Sequence, residues 1–152
     1  MPVDIVHIHE YLSAMIDDFD LCMVLNARMA ARAITRRADQ KFRSFGVTAA
    51  QFSILGSLHN HPGRSVTEIA NSIAMDRTTL SRNLSLLERK RLVSAAPAAS
   101  GNGRIGSLTA EGRKIIELAT PEWRKAQAEI RAVLSAPDFD TTLAGLRQLS
   151  RL

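Results

Sequence analysis

The sequence predicts a mainly α-helical domain with one small β-hairpin, and three observations lead there. First, a capped helix, a tight turn and a second helix follow one another between Ser65 and Arg91. Second, two short β-prone runs, Leu92-Val93-Ser94 and Arg104-Ile105-Gly106-Ser107-Leu108, flank a small, turn-like stretch rich in Ala, Pro and Gly, which reads as a hairpin. Third, long stretches of helical periodicity lie on both sides of this unit. Helix, turn, helix and hairpin make a winged helix-turn-helix, here with long N- and C-terminal helices.

Each element has a local cause. Residues 4–18 place Ile5, Ile8, Leu12, Met15 and Ile16 on one side at helical spacing. Asp17, Asp18 and Asp20 then interrupt, and any of them can cap a second helix. Leu21 to Phe45 is a long helical stretch without Gly or Pro, with an apolar line of Ala27, Ala30, Ile34, Ala38, Phe42 and Phe45. Arg28, Arg32, Arg36 and Lys41 lie largely off that line, and Gly46 is its natural stop. Thr48 and Gln51 have capping-box spacing and open a helix with Phe52, Ile54, Leu55 and Leu58, which breaks at His61-Pro62-Gly63.

Ser65 and Glu68 form a second capping box, opening a short helix with Val66, Ile69, Ala70 and Ile73 inward. Met75-Asp76 interrupts, and Asp76 caps the next helix, Arg77 to about Arg91. After the hairpin, Thr109 caps a last long helix to about Ser135, with a kink expected at Pro121. Pro137 begins a terminal helix with Phe139, Leu143, Leu146 and Leu149 on one face.

The chain has 152 residues, about one domain. Its 45% hydrophobic and 23% charged residues argue against a largely disordered chain. A single Cys excludes an internal disulfide and suits a reducing compartment. No apolar run approaches the roughly 18 residues of a membrane span. No Lys or Arg precedes a hydrophobic stretch at the N-terminus, so no signal peptide is expected and the expected location is cytoplasmic.

The net charge is +5 and the pI about 10.1, a basic balance that points to nucleic acid. The positive charge is clustered: residues 21–45 carry six bases and one acid, and residues 64–104 seven bases and three acids. Of the twenty bases sixteen are Arg, which suits bidentate contacts to phosphate or base edges. At about 100° per residue, Leu80, Leu84 and Leu87 form a narrow stripe on the helix from Arg77. Thr78, Ser81, Arg82, Ser85 and Arg89 fall opposite, with no acid until Glu88 at the edge. Short hydroxyls let the backbone approach a major groove, and Arg can bond guanine or grip phosphate. Arg77 sits nearer the core edge, which suits a phosphate contact or a buttress. A charged face of this kind is also that of an ordinary solvated helix; the capped helix and turn before it and the hairpin after it favour DNA.

The run SVTEIANSIAMDRTTLSRNLSLLERKRLV, followed by GRIGSLTAEGRKII and TPEWRKAQ, resembles the MarR family of dimeric winged-helix transcription regulators, over roughly residues 21 to 135. The resemblance implies a homodimer built by its terminal helices, bound to double-stranded DNA at a pseudo-palindromic operator. It implies release by a small-molecule or redox signal read between the dimer arms and the DNA-binding lobe. On this chain it assigns residues 1–45 and 109–152 to dimerisation, 46–108 to the DNA-binding lobe, Arg77–Arg91 to the recognition helix and about Ala95–Leu108 to the wing. Arg64, Ser65, Arg77, Thr78, Thr79, Ser81, Arg82, Ser85, Arg89 and Arg104 are the candidate DNA contacts. Family wings commonly carry an Asp and several Arg at the tip; here the tip reads AASGNGRIG, leaving Arg104 alone to hold the backbone.

The run from Asp20 to Gln40 resembles the first long helix of family members with a Cys there, and the organic-hydroperoxide-sensing branch uses such a thiol as its switch. Cys22 is therefore a candidate redox residue. The acids Asp17, Asp18 and Asp20 oppose a thiolate, and Tyr11 is the only Tyr, so a buried inert thiol is expected instead. The pairs His7/His9 and His59/His61 point in nearly opposite directions on a helix, so neither a metal site nor a cofactor is expected. His59 and His61 are expected to finish a helix. Trp123 joins Ile116, Ala119, Ala126 and Ile130 in a helical stripe expected to be core or dimer packing. Because that helix faces the family's ligand crevice, Met23, Arg28, Phe52 and Trp123 are candidate effector residues, with Arg28 the partner of a carboxylate; the effector expected is small and aromatic or acidic.

The leading function is thus a DNA-binding repressor without catalysis. A thiol-based regulator or thiol enzyme at Cys22 lacks a legible general base. A winged helix for protein or RNA contacts is the third class; the polar face Thr78/Ser81/Arg82 speaks against protein contacts.

Overall fold

The computed structural model describes residues 19–97 and 104–152. The expected helix over 4–18, with His7 and His9, and the hairpin tip at 98–103 lie outside the described residues. The chain divides into two units, residues 1–37 and residues 38–152.

In the first unit a 3-10 turn, Phe19–Leu21, precedes the helix α1, Met23–Phe42, which runs into the second. The Asn26 amide ties this start together by donating to the carbonyls of Asp20 (2.7 Å) and Cys22 (3.0 Å). Phe19, Met23, Val24, Met29 and Ile34 are exposed here. The expected single helix to Phe45 ends instead in a 3-10 turn, Arg43–Phe45, closed by Gly46 at φ +69°. Glycine reaches that left-handed conformation without steric cost.

The second unit continues with α2 (Ala49–Asn60), α3 (Val66–Ser72), α4 (Arg77–Arg89), β1 (Val93–Pro97), β2 (Arg104–Leu108), α5 (Ala110–Val133) and α6 (Phe139–Leu149). Both capping boxes form as the sequence predicts, Thr48 with Gln51 and Ser65 with Glu68. Asp76, Thr109 and Asp138 cap α4, α5 and α6 through the N–H groups of Thr79, Gly112 and Thr141. The terminal helix therefore starts after Asp138 rather than at Pro137. α5 ends at Val133 and carries Pro121 within it.

The two strands pair antiparallel, with Val93 opposite Leu108 and Pro97 opposite Arg104. A bridge between Ser65 and Ile105 fastens the start of α3 to β2. The core joins Phe42, Val47, Ile54, Leu55, Leu58, Ile69, Leu80, Leu84, Leu87, Leu92, Val93, Ile116 and Ala119. Phe42 stacks on Phe52 with ring centroids 4.3 Å apart. The leucine stripe of α4 is thus fully buried, and each such side chain contributes roughly 1.5–3 kcal/mol. That burial fixes which face of α4 looks outward.

Close packing also sets the wing. A Cβ on Gly112 would collide with the carbonyl oxygen of Leu92, so α5 can begin against the wing root only with glycine there. The Thr109 hydroxyl donates to the Arg91 carbonyl at 2.7 Å, tying the same junction to the end of α4.

Candidate nucleic-acid interface

The outward face of α4 follows from its cap and its core stripe. Asp76 Oδ1 accepts the Thr79 N–H at 2.8 Å, and the hydrogen bonds from Thr79 hold its carboxyl below the usual range. With Leu80, Leu84 and Leu87 turned inward, Thr78, Ser81, Arg82, Ser85 and Arg89 are all exposed. Among the described residues, no hydrogen bond or ion pair engages the guanidinium of Arg77, Arg82 or Arg89. Arg77, expected at the core edge, is exposed as well, as is Thr79.

Not every candidate is equally available. Arg64 and Ser65 are half-buried. The Ser65 hydroxyl donates to Glu68 Oε2 at 2.7 Å, and its N–H donates to the same oxygen at 2.7 Å. Those two bonds, and to a smaller degree the Arg64 charge, keep the Glu68 carboxyl below the ordinary range. Ser65 is first a helix cap and a wing anchor.

Arg104, the wing's candidate DNA contact, has a partner within the chain. Its Nη2 donates to Glu88 Oε1 at 2.8 Å, so the wing's base faces the end of α4. α4 ends at Arg89, two residues earlier than expected, because the chain turns there into a left-handed closing bond. Arg91 has φ +58°, its N–H donates to the Glu88 carbonyl, and the Leu92 N–H donates to Leu87. Lys90 is one of the clustered bases, yet its Nζ donates to the Gly46 carbonyl (2.6 Å) and Gln51 Oε1 (3.1 Å). It is a strut that satisfies the buried Gln51. Pairings of this kind join residues 16 to 44 positions apart, and sequence spacing carries no signal for them.

The effector candidates separate. Phe52 and Trp123 line one cavity of about 470 Å³, together with Ser53, His59, His61 and Thr120. Of the two roles expected for the Trp123 stripe, core or dimer packing, the 43% exposure of Trp123 in the single chain excludes the core for the indole, while Ile116, Ala119 and Ala126 are buried. α2 ends at Asn60, with His59 in its last turn and His61 as the cap. Met23 and Arg28 stand exposed on α1 in the first unit and are absent from that lining. Cys22 is half-buried, not buried as expected. Among the described residues no group of three or more His, Cys, Asp or Glu can hold a metal ion, and no helix is long and apolar enough to cross a membrane.

A model of the MarR family matches residues 45–105, the helices, turn and hairpin just described. The transcriptional regulator MosR of M. tuberculosis, solved in complex with DNA, is 33% identical, with 86% of this chain and 94% of that one covered and a TM-score of 0.77. The chain belongs to the MarR family. MepR of S. aureus, also solved with DNA, is similar at 28% identity, a TM-score of 0.74, and 86% and 98% of the two chains covered. An uncharacterized HTH-type transcriptional regulator of Bacillus subtilis, YybA, is 29% identical over 125 residues, 81% of this chain and 83% of that one. As a MarR-family protein this is a transcription regulator rather than an enzyme, and its fold is the winged helix-turn-helix.

Proposed function

We propose that this protein is a homodimeric, sequence-specific DNA-binding repressor that reads a pseudo-palindromic operator with α4 and is released by a small aromatic or acidic effector. The observation that carries the reading is the outward face of α4. Thr78, Ser81, Arg82, Ser85 and Arg89 stand together on it, and among the described residues no acid or partner engages its two guanidiniums. Thr79, Arg77, Arg64 and Ser65 flank that face and supply backbone contacts. The DNA complexes of MosR and MepR, relatives of 33% and 28% identity, support DNA as the partner.

Residues 46–108 act as the DNA-binding lobe, and residues 1–45 with 109–152 as the dimerisation region. Leu146 and Leu149 on α6, Val133 at the end of α5, and Phe19, Met23 and Val24 near the other end are all exposed in the single chain. Apolar surface of that extent at both ends favours a second copy over solvent. The cavity beside Phe52 and Trp123 is the effector site, with its imidazoles and hydroxyls to orient a polar group over an apolar floor. Binding there releases DNA if the ligand prefers the unbound conformation. The protein acts in the cytoplasm, and Cys22 is not its main switch.

The test is a titration of the purified protein against DNA flanking its own gene and against a scrambled duplex, with its oligomeric state read by sedimentation. Selective binding by a dimer is the expected result. A monomer at micromolar concentration, or equal affinity for both duplexes, refutes the proposal. Trp123 is the only Trp, so quenching of its fluorescence by aromatic acids reports on the effector site directly.

A further inference from the structure

We infer that the wing docks on DNA as an electrically neutral arm, because Glu88 on the last turn of α4 holds the guanidinium of Arg104 and makes it a positioning contact instead of a phosphate clamp. The inference rests on the DNA-binding reading above and concerns how that binding is distributed over the protein.

The hairpin from Val93 to Leu108 contains a single charged residue, Arg104. Its charge therefore decides the charge of the wing. Arg104 Nη2 donates to Glu88 Oε1 at 2.8 Å, and the two side chains are 51% and 28% exposed. Glu88 has basic neighbours in sequence, but Lys90 is turned to Gly46 and Gln51, and Arg89 makes no ion pair with it. Arg104 is the base that answers Glu88.

An exposed ion pair is weak in water, and by itself it fixes little. DNA changes the balance. If Arg104 left Glu88 for a phosphate, the carboxylate would be unpaired at the edge of the docking helix, facing a dense row of like charges. Keeping the pair avoids that repulsion and holds the wing against α4. The pair has zero net charge, so it displaces no counterion even where its guanidinium touches the DNA. Each phosphate neutralised by a free base contributes about 0.9 to the slope of log affinity against log salt. The free bases of α4 contribute to that slope, and the wing does not.

The experiment measures this slope on the operator duplex for four full-length proteins: wild type, Arg104→Ala, Glu88→Gln and the double variant. Of the two substituted side chains Arg104 is exposed and Glu88 half-buried, neither is in the core, and circular dichroism checks that the fold is retained. Arg104→Ala in the wild-type background is expected to lower affinity a few-fold by freeing the wing while leaving the slope unchanged. In the Glu88→Gln background Arg104 is an unpaired base, and its removal is expected to lower the slope by about one per protomer. A merely structural role for Glu88 would not make the slope effect of Arg104 depend on it. A drop of about one per protomer on Arg104→Ala in the wild-type background overturns the inference and leaves the DNA-binding reading intact. Failure of the wild-type protein to bind DNA at all overturns that reading, and the inference with it.

Discussion

Removing the Arg82 side chain should weaken DNA recognition more than any other single truncation on the surface of α4. Arg82 lies across the helix from the buried Leu80, Leu84 and Leu87, so the packing that orients α4 aims it outward. Its neighbours Thr78, Ser81 and Ser85 are short, and nothing long stands between its guanidinium and a groove. Among the described residues it has no hydrogen bond or ion pair to lose, so Arg82→Ala should change folding stability by less than about 0.5 kcal/mol. A bidentate contact to guanine gives about 1–3 kcal/mol of discrimination, roughly 5- to 150-fold per half-site. A dimer presents two such helices, and the losses compound. Titration of the variant against specific and scrambled duplexes at several salt concentrations separates two contact types. Base reading predicts a loss confined to the specific duplex. Phosphate binding predicts a uniform loss with a salt slope smaller by about one per protomer. Unchanged affinity for both duplexes would refute the docking face.

Three further outcomes follow from the scaffold. The carboxyls of Asp76, Glu68 and Asp138 all have lowered pKa values in the folded state because N–H or hydroxyl groups at helix starts donate to them. Their stabilisation is therefore complete above the unfolded values, about 3.9 for Asp and 4.3 for Glu, and is lost as pH falls through the lower folded ones. Thermal melts should fall off below about pH 4, and Asp76→Asn should make that acid limb shallower; an identical limb would contradict the cap's role. Gly112→Ala must displace the Leu92 carbonyl and should cost about 3 kcal/mol, seen as a Tm lower by roughly 6–12 °C. Ala74 sits in the turn before α4 at φ +50°, so Ala74→Gly should stabilise the protein by about 0.5–1 kcal/mol in a denaturant titration.

The parts of the fold that were legible in the sequence are those set by neighbours along the chain. Both capping boxes, the Asp76 and Thr109 caps and the leucine stripe of α4 depend on offsets of three or four residues, and each forms where its spacing placed it. The hairpin, though not its register, was implied by two β-prone runs around a turn; the first strand starts at Val93 and runs on to Pro97, through residues expected to be turn-like. The parts that were hidden depend on distant partners. Lys90 counted only towards the basic cluster and Arg104 as a candidate DNA contact, and both are held by groups far away in sequence. Charge counting cannot distinguish a strut from a contact. The apolar stripe around Trp123 read as core or dimer packing; Ile116, Ala119 and Ala126 fill the buried surface and leave the indole on the lining of the cavity. The helix ends shifted by one to three residues where closing turns took over. Arg91 occupies a left-handed position usually given to glycine, so sequence had no stop signal there.

The central claim is that two copies of α4 read one operator from adjacent major grooves, and a hydroxyl-radical footprint of the wild-type protein on DNA flanking its own gene tests it most directly. The account predicts two symmetric protections whose centres are about one helical turn, or a whole number of turns, apart, and both should fade in Arg82→Ala. A single asymmetric protection, or a pattern unaffected by Arg82→Ala, would contradict it.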